Sequence, residues 1–325
     1  MIPEFTYVRA RTIEEALSHL SSGEARLHAG GTDLLGCLRD GVFEAKKVVS
    51  ISRVKELQGI AEGTDGGLRL GALLTLTRVA EDPVVARRYP ALAQGASEAA
   101  SPQLRNQGTL GGNLCQRPRC WYFRGEFHCY RKGGDKCYAA SGENHYHCIL
   151  GGESCYIVHP SDLAPALVAY AAVVEVAGAK GRRRIPIEEF FVLPAKDITR
   201  ETILGPDEMV TAVVLPPSAA GVRSSYRKVR ARRSWDFALA GAALALRFTG
   251  DTVASARVVL AGAAPVPWRS AEAEAVLTGQ ALTEEVVARA AAAALEKARP
   301  LEHNGYKTYL FRGLLEEELT ALARA

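Results

Sequence analysis

Short apolar stretches alternate with segments of helical spacing along the first fifty residues. Phe5-Thr6-Tyr7-Val8 predicts a strand. Thr12-Ile13-Glu14-Glu15 predicts a capped helix start, since a Thr hydroxyl and a Glu three residues later can satisfy orphan N–H groups. That helix carries Ala16, Leu17 and Leu20 and ends near Gly23. Arg26 to Ala29 reads as a second strand and runs into Gly30-Gly31-Thr32-Asp33, with a helix from Leu34 to Leu38. Lys47 to Ile51 is a third strand, completing a small α/β unit.

Beyond residue 58 the pattern changes. Asp65-Gly66-Gly67 marks a hairpin before Leu68-Arg69-Leu70. Thr77 is a candidate cap for a short helix. Residues 83–100 read as helical, interrupted at Tyr89-Pro90. Arg105 to Asn113 reads as a second glycine-rich loop. An aperiodic window follows and is expected to be an inserted loop held by something other than a core. Helical spacing resumes at Ser161 to Leu167, with Ser161 or Asp162 as cap, and Val173 to Val176 is a strand. Residues 178–222, rich in Gly, Pro and charge, read as a linker region. A third unit begins near Tyr226. Its apolar runs, Phe237–Phe248 and Val253–Leu260, flank Thr249-Gly250-Asp251 and predict an antiparallel hairpin. Helices are expected over Ser270–Leu277, Thr283–Ala298 and Gly305–Ala323.

Composition narrows the class. The chain has 325 residues, 48% of them hydrophobic and 23% charged, enough for packed cores in two or three domains. Mean hydropathy is −0.02, and no apolar run approaches the roughly 20 residues a bilayer span requires. Forty basic and 36 acidic residues leave a net charge of +4, too balanced to argue for nucleic acid or a membrane surface as partner. The first residues lack a basic segment followed by an apolar one, so a cytoplasmic location is expected, or a periplasmic one if a partner carries the export signal.

Cysteine usage is more informative. Six of the seven cysteines (Cys115, Cys120, Cys129, Cys137, Cys148, Cys155) fall in one 41-residue window, with His128, His145, His147 and His159 in or just beyond it. An odd count argues against a disulfide framework, and the clustering points to a metal. The other chemistry lies in the glycine loops. Glycines between strand and helix let backbone amides approach a phosphate, and Ala29–Asp33 and Thr109–Asn113 together suit the two phosphates of a dinucleotide. Neither fits G-x-G-x-x-G, so NAD is not favoured.

Four ordered segments resemble the FAD-binding medium subunits of the molybdenum hydroxylases. They are Ala29-Gly30-Gly31-Thr32-Asp33-Leu34-Leu35, Arg105-Asn106-Gln107-Gly108-Thr109-Leu110-Gly111-Gly112-Asn113-Leu114, Ser161-Asp162-Leu163-Ala164-Pro165 and Tyr226-Arg227-Lys228-Val229-Arg230. The resemblance covers essentially the whole chain. It implies an α+β fold, with a two-lobed FAD domain of the vanillyl-alcohol-oxidase type over residues 1–222 (lobes 1–57 and 58–222, insert 114–160). A CO-dehydrogenase-flavoprotein-like domain, an antiparallel sheet with helices, then spans 223–325.

The resemblance also implies roles. Leu27, His28, Ala29, Gly30, Gly31, Thr32, Asp33 and Leu34 would wrap the FAD pyrophosphate. Gly108, Thr109, Gly111, Gly112 and Asn113 would hold phosphate and ribityl oxygens. Asp162 matches a carboxylate on the flavin side. Lys228 matches a lysine near the isoalloxazine, where a cation favours the reduced anionic flavin. Glu208 and Val210 match a segment near the flavin ring more loosely.

Asn113 and Ser161 are separated by 47 residues, far more than in most medium subunits. The insert resembles those of 4-hydroxybenzoyl-CoA reductase and bacterial aldehyde oxidoreductases, which carry an additional [4Fe–4S] cluster. Matching it implies Cys120, Cys129, Cys137 and Cys155 as ligands and leaves Cys115 and Cys148 as ordinary thiols. Without the resemblance, a Cys₄ zinc site and an iron–sulfur site stand level. The flanking histidines read more simply as surface residues.

The expected function is electron transfer through FAD and the cluster. Electrons would pass between partner subunits carrying molybdopterin and [2Fe–2S] centres and an external acceptor, in aldehyde oxidation. The alternatives are a self-contained flavin dehydrogenase, a 4-hydroxybenzoyl-CoA reductase or xanthine dehydrogenase type of substrate on the partner, and a metal-stapled binding module.

Overall fold

The computed structural model describes residues 2–218 and 221–324. Its first unit is β1 (Thr6–Arg9), α1 (Ile13–Leu20), β2 (Ala25–His28), α2 (Leu34–Arg39) and β3 (Lys47–Ser50), with the strands parallel in the order β1-β3-β2. The Thr12 hydroxyl accepts the Glu15 N–H at 3.1 Å, as expected of the capping box. The Glu15 carboxylate reaches one residue further back than expected and accepts the Arg11 N–H at 2.7 Å. Ile13, Ala16 and Leu20 bury one face of α1 against Val49 and Ile51.

The second unit holds β4 (Ile60–Glu62), β5 (Leu68–Gly71), α3 (Leu76–Glu81), α4 (Pro83–Arg88), α5 (Pro90–Glu98), α6 (Pro102–Gln107), α7 (Leu110–Leu114), α8 (Trp121–Arg124), α9 (Leu163–Ala169), β6 (Val173–Gly178), β7 (Gly181–Pro186), α10 (Ile187–Phe190) and β8 (Glu208–Leu215). Its sheet is antiparallel, in the order β4-β5-β8-β6-β7. The expected linker at 178–222 therefore contains β7, α10 and β8. β8 occupies the middle of the sheet, with Met209, Val210, Ala212, Val213 and Leu215 buried. Flanking Gly, Pro and charge disguise one short apolar run, whose length alone does not separate a buried strand from a loop.

Two further local readings change, and the cap of α9 is narrowed to one of its two candidates. Thr75, not Thr77, caps α3 by accepting the Arg78 N–H at 3.2 Å, while the Thr77 hydroxyl donates to Asn106 Oδ1 at 2.6 Å. The second glycine loop is two short helices around Gly108-Thr109. Ser101 and Pro102 start α6, and Thr109 starts α7. Ser161 supplies the capping bond of α9, accepting the Ala164 N–H at 2.9 Å, whereas the Asp162 side chain is used elsewhere.

The third unit comprises β9 (Val222–Val229), β10 (Ala240–Thr249), β11 (Thr252–Ala261), β12 (Trp268–Arg269), α11 (Ala271–Leu277), α12 (Glu284–Ala293) and α13 (Tyr306–Arg324). β10 and β11 form the expected hairpin in a four-stranded antiparallel sheet ordered β12-β11-β10-β9. Leu244, Leu246, Val258 and Leu260 share a core with Phe311, Leu315 and Leu319 of α13. α12 stops earlier than expected, because the chain tightens into three-residue turns through Leu295 and Glu296 before Pro300. Among the described residues no helix is long and apolar enough to cross a membrane.

Candidate functional site: paired glycine turns, a buried Lys–Asp pair and a cysteine cavity

The end of β2 delivers Leu27, His28 and Ala29 into Gly30-Gly31. This turn lies directly against the turn between α6 and α7. A Cβ on Gly30 would stand 1.9 Å from the Gln107 carbonyl oxygen, so only glycine allows the two backbones to meet. Gly31 has φ +74°, the left-handed region glycine enters without strain. Thr32 Oγ1 faces Gly108 across the same junction. The Gly111 N–H donates to the Ala72 carbonyl at 2.9 Å, and the Ala72 N–H donates to the Thr211 carbonyl of β8 at 3.0 Å. The five-stranded sheet thus carries the second turn. Thr109 Oγ1 accepts the Gly112 N–H at 3.2 Å, and Asn113 Oδ1 accepts the Ser161 hydroxyl at 2.5 Å. The structure brings the two predicted loops together as one surface of closely approaching backbone.

Asp33 is used differently from its neighbours. Its carboxylate accepts the Arg117 N–H at 2.8 Å and pairs with Arg119 at 3.0 Å and Arg124 at 2.7 Å. All three arginines belong to the insert, so α2 and the insert are tied at this point. Nothing in the local sequence around Asp33 signals these partners.

Asp162 and Lys228 meet in the interior. Lys228 Nζ lies 2.8 Å from Asp162 Oδ2, with the two side chains 1% and 7% exposed. The Tyr226 hydroxyl donates to Asp162 Oδ1 at 2.6 Å. Burial, and then the Asp162 charge beside it, raise the Tyr226 phenol well above its ordinary pKa. The structure does not bring the other two candidates to this pair. Glu208 is committed to Arg183 at 2.7 Å and to the Gly205 N–H, and Val210 is a core residue opposite Val176.

The insert contains short helical turns joined by irregular backbone. Cys120, Cys129, Cys137 and Cys155 line a single cavity, together with Phe123, Arg131, His147 and Tyr156. Cys115 and Cys148 are not on its wall. Interaction between the neighbouring thiols of Cys137 and Cys155 draws the Cys137 thiol below its ordinary pKa and pushes the Cys155 thiol up. Burial pushes Cys120 up to about 11. Among the described residues no three His, Cys, Asp or Glu groups converge to hold a single metal ion.

Two histidines expected at the surface are buried. His147 Nε2 lies 3.2 Å from Cys120 Sγ while its Nδ1 has no partner, and His159 sits against Phe191. The insert also has more support than expected. Ile149 and Leu150 belong to the core of the third unit. Asn304 Nδ2 donates to the carbonyls of His147 and Cys148 at 3.1 and 3.2 Å.

Comparison with known proteins agrees with this arrangement. Residues 3–218 match the family described as FAD binding domain in molybdopterin dehydrogenase, and residues 197–322 match the CO dehydrogenase flavoprotein C-terminal domain. The chain is 37% identical to the aldehyde oxidoreductase FAD-binding subunit PaoB of Escherichia coli over 99% of its own length and 98% of that protein. It is 29% identical to the carbon monoxide dehydrogenase medium chain of Hydrogenophaga pseudoflava, over 98% of this chain and 97% of that one. A solved structure of carbon monoxide dehydrogenase from that organism superposes with a TM-score of 0.79 at 29% identity, covering 99% of this chain and 98% of the other. With both domains matched in order and a 37% identical relative aligned over nearly the whole length, this chain belongs to the FAD-binding medium subunits of the molybdenum hydroxylase family and is an oxidoreductase subunit.

Proposed function

We propose that this chain is the electron-transfer subunit of a heteromeric aldehyde oxidoreductase. Substrate chemistry would occur on a molybdopterin-containing large subunit, and electrons would pass by way of a [2Fe–2S] small subunit to the FAD held here and on to an external acceptor. The 37% identity to PaoB across nearly both full lengths carries this reading.

The residues fit FAD. The strands present Leu27 to Leu34 and Gly108 to Asn113 as two adjoining backbone turns, which can meet only because Gly30 has no side chain. These turns would hold the pyrophosphate and ribityl groups. Asp162 and Lys228 would stand on the flavin side, the lysine supplying positive charge and the aspartate fixing its position. Bound FAD supplies the redox chemistry. The protein's part is to position it and bias its potential.

The cysteine cavity supports an additional [4Fe–4S] cluster on Cys120, Cys129, Cys137 and Cys155. A cubane takes one thiolate on each iron, so its four sulfurs are spread around a body and do not meet at one point. Four thiols lining one cavity match that demand. Arg131 lines the same cavity, its side chain 1% exposed, and its Nε and Nη1 have no protein acceptor. Buried unpaired donors of this kind suit an anionic group.

The test is purification of the complex with its partners, followed by the visible spectrum and quantitation of FAD, iron, sulfide, zinc and molybdenum. FAD, and iron beyond that of the [2Fe–2S] centres, are expected, with cluster iron lost in Ser variants of the four cysteines and kept in Cys115→Ser and Cys148→Ser. Stoichiometric zinc without extra iron would overturn the cluster. Aldehyde-driven flavin reduction by the isolated chain would favour a self-contained dehydrogenase.

A further inference from the structure

We infer that Arg131 sets the reduction potential of the cluster in the cysteine cavity, an inference that rests on the cluster reading above. Arg131 follows Cys129 by two residues, on a single helical turn, Tyr130–Lys132. Its guanidinium lies under the ring of Phe123, 5.7 Å from the centroid, and forms part of the cavity wall. Of its N–H groups, Nη2 is taken by Glu201, while Nε and Nη1 have no acceptor in the protein.

Charge arithmetic points the same way. A guanidinium this deeply buried needs compensation, since an unpaired charge in the interior is strongly unfavourable. Glu201 cannot supply all of it. Its second oxygen lies 3.2 Å from Arg117 Nε, so one carboxylate serves two arginines. The surplus positive charge and two free donors are on the wall that carries four thiols. A four-thiolate cluster is anionic, and reduction adds one more electron to it. A fixed buried cation stabilises the more negative form and therefore raises the potential. Hydrogen bonds to the sulfurs act in the same sense.

The experiment uses the complete complex, with iron and sulfide quantitation preceding potentiometry followed by electron paramagnetic resonance. Arg131→Gln is expected to keep cluster iron and to lower the cluster's midpoint potential while leaving the [2Fe–2S] potentials unchanged. Arg131→Lys, which keeps the charge, should recover most of the shift. Glu201→Gln removes the shared counter-charge and should move the potential upward. It also serves as the second measurement should Arg131→Gln lose its iron. An unchanged potential in iron-replete Arg131→Gln overturns the inference, as does an unchanged or lowered potential in Glu201→Gln. Absence of additional iron in the unmodified complex overturns the cluster itself and this inference with it, and quantitation identifies that outcome before any potential is measured.

Discussion

Lys228 Nζ sits 2.8 Å from Asp162 Oδ2, joining β9 of the third unit to the cap of α9 in the second. Both side chains are buried, so each compensates the other's charge. Lys228 also donates to the Glu98 carbonyl at 3.3 Å, and Tyr226 holds the other Asp162 oxygen. The two units are locked together by one buried ion pair with its remaining hydrogen bonds largely satisfied.

Asp162→Ala should therefore be severe. It leaves an uncompensated ammonium inside, a change that typically costs about 3–5 kcal/mol. The double variant Asp162→Leu/Lys228→Met should lose less than Asp162→Ala alone, because no charge is left behind. Urea midpoints of the three proteins decide the point, and a double variant less stable than the single would contradict it.

Gly30→Ala should empty the flavin site. Its methyl would overlap the Gln107 carbonyl and force the two turns apart. A large fall in FAD content per folded protein is expected, measured by absorbance after gel filtration. Retention of full flavin would show that the junction does not hold the cofactor.

Asp33→Ala should loosen the insert from α2. Three donors, the Arg117 N–H, Arg119 and Arg124, lose their acceptor together. A loss of about 1–3 kcal/mol follows from leaving partly buried donors unpaired. Limited proteolysis should cut the variant first within residues 117–135, and an unaltered cleavage pattern would refute the tie.

His159 predicts an acid-side instability. Burial draws its pKa from 6.5 down to about 4. The unfolded chain then binds a proton between these values that the folded chain does not. Stability contributed by the neutral imidazole is complete above about pH 6.5 and declines as pH falls toward 4, by up to about 3 kcal/mol. His159→Asn should flatten the pH dependence of the unfolding free energy over that window. An identical slope in the variant would assign the acid loss to other groups.

Local order was legible in the residues. The Thr12 cap, the strands leading into Gly30-Gly31, the Gly250 hairpin and the long final helix follow from rules acting over a few positions. Family motifs pointed to the two glycine turns as the place for FAD, and the choice of Cys120, Cys129, Cys137 and Cys155 over Cys115 and Cys148 rested on that resemblance. The cavity unites those same four. The remaining features are pairings across distance in the chain. β8 is central only because β5 and β6 close on it from either side. Arg131 meets Glu201 seventy positions away, and Asn144 accepts the His303 N–H across 159. Asp33 faces three arginines of a segment that begins eighty-four residues later. Propensity and spacing carry no information about such contacts, because they arise only once the units have packed, where a charge removed from water and left unpaired is costly. The sequence by itself determined most elements of the first and third units, their turns and the clustering of the cysteines. The tertiary structure alone decided which charges are buried, and against which partners.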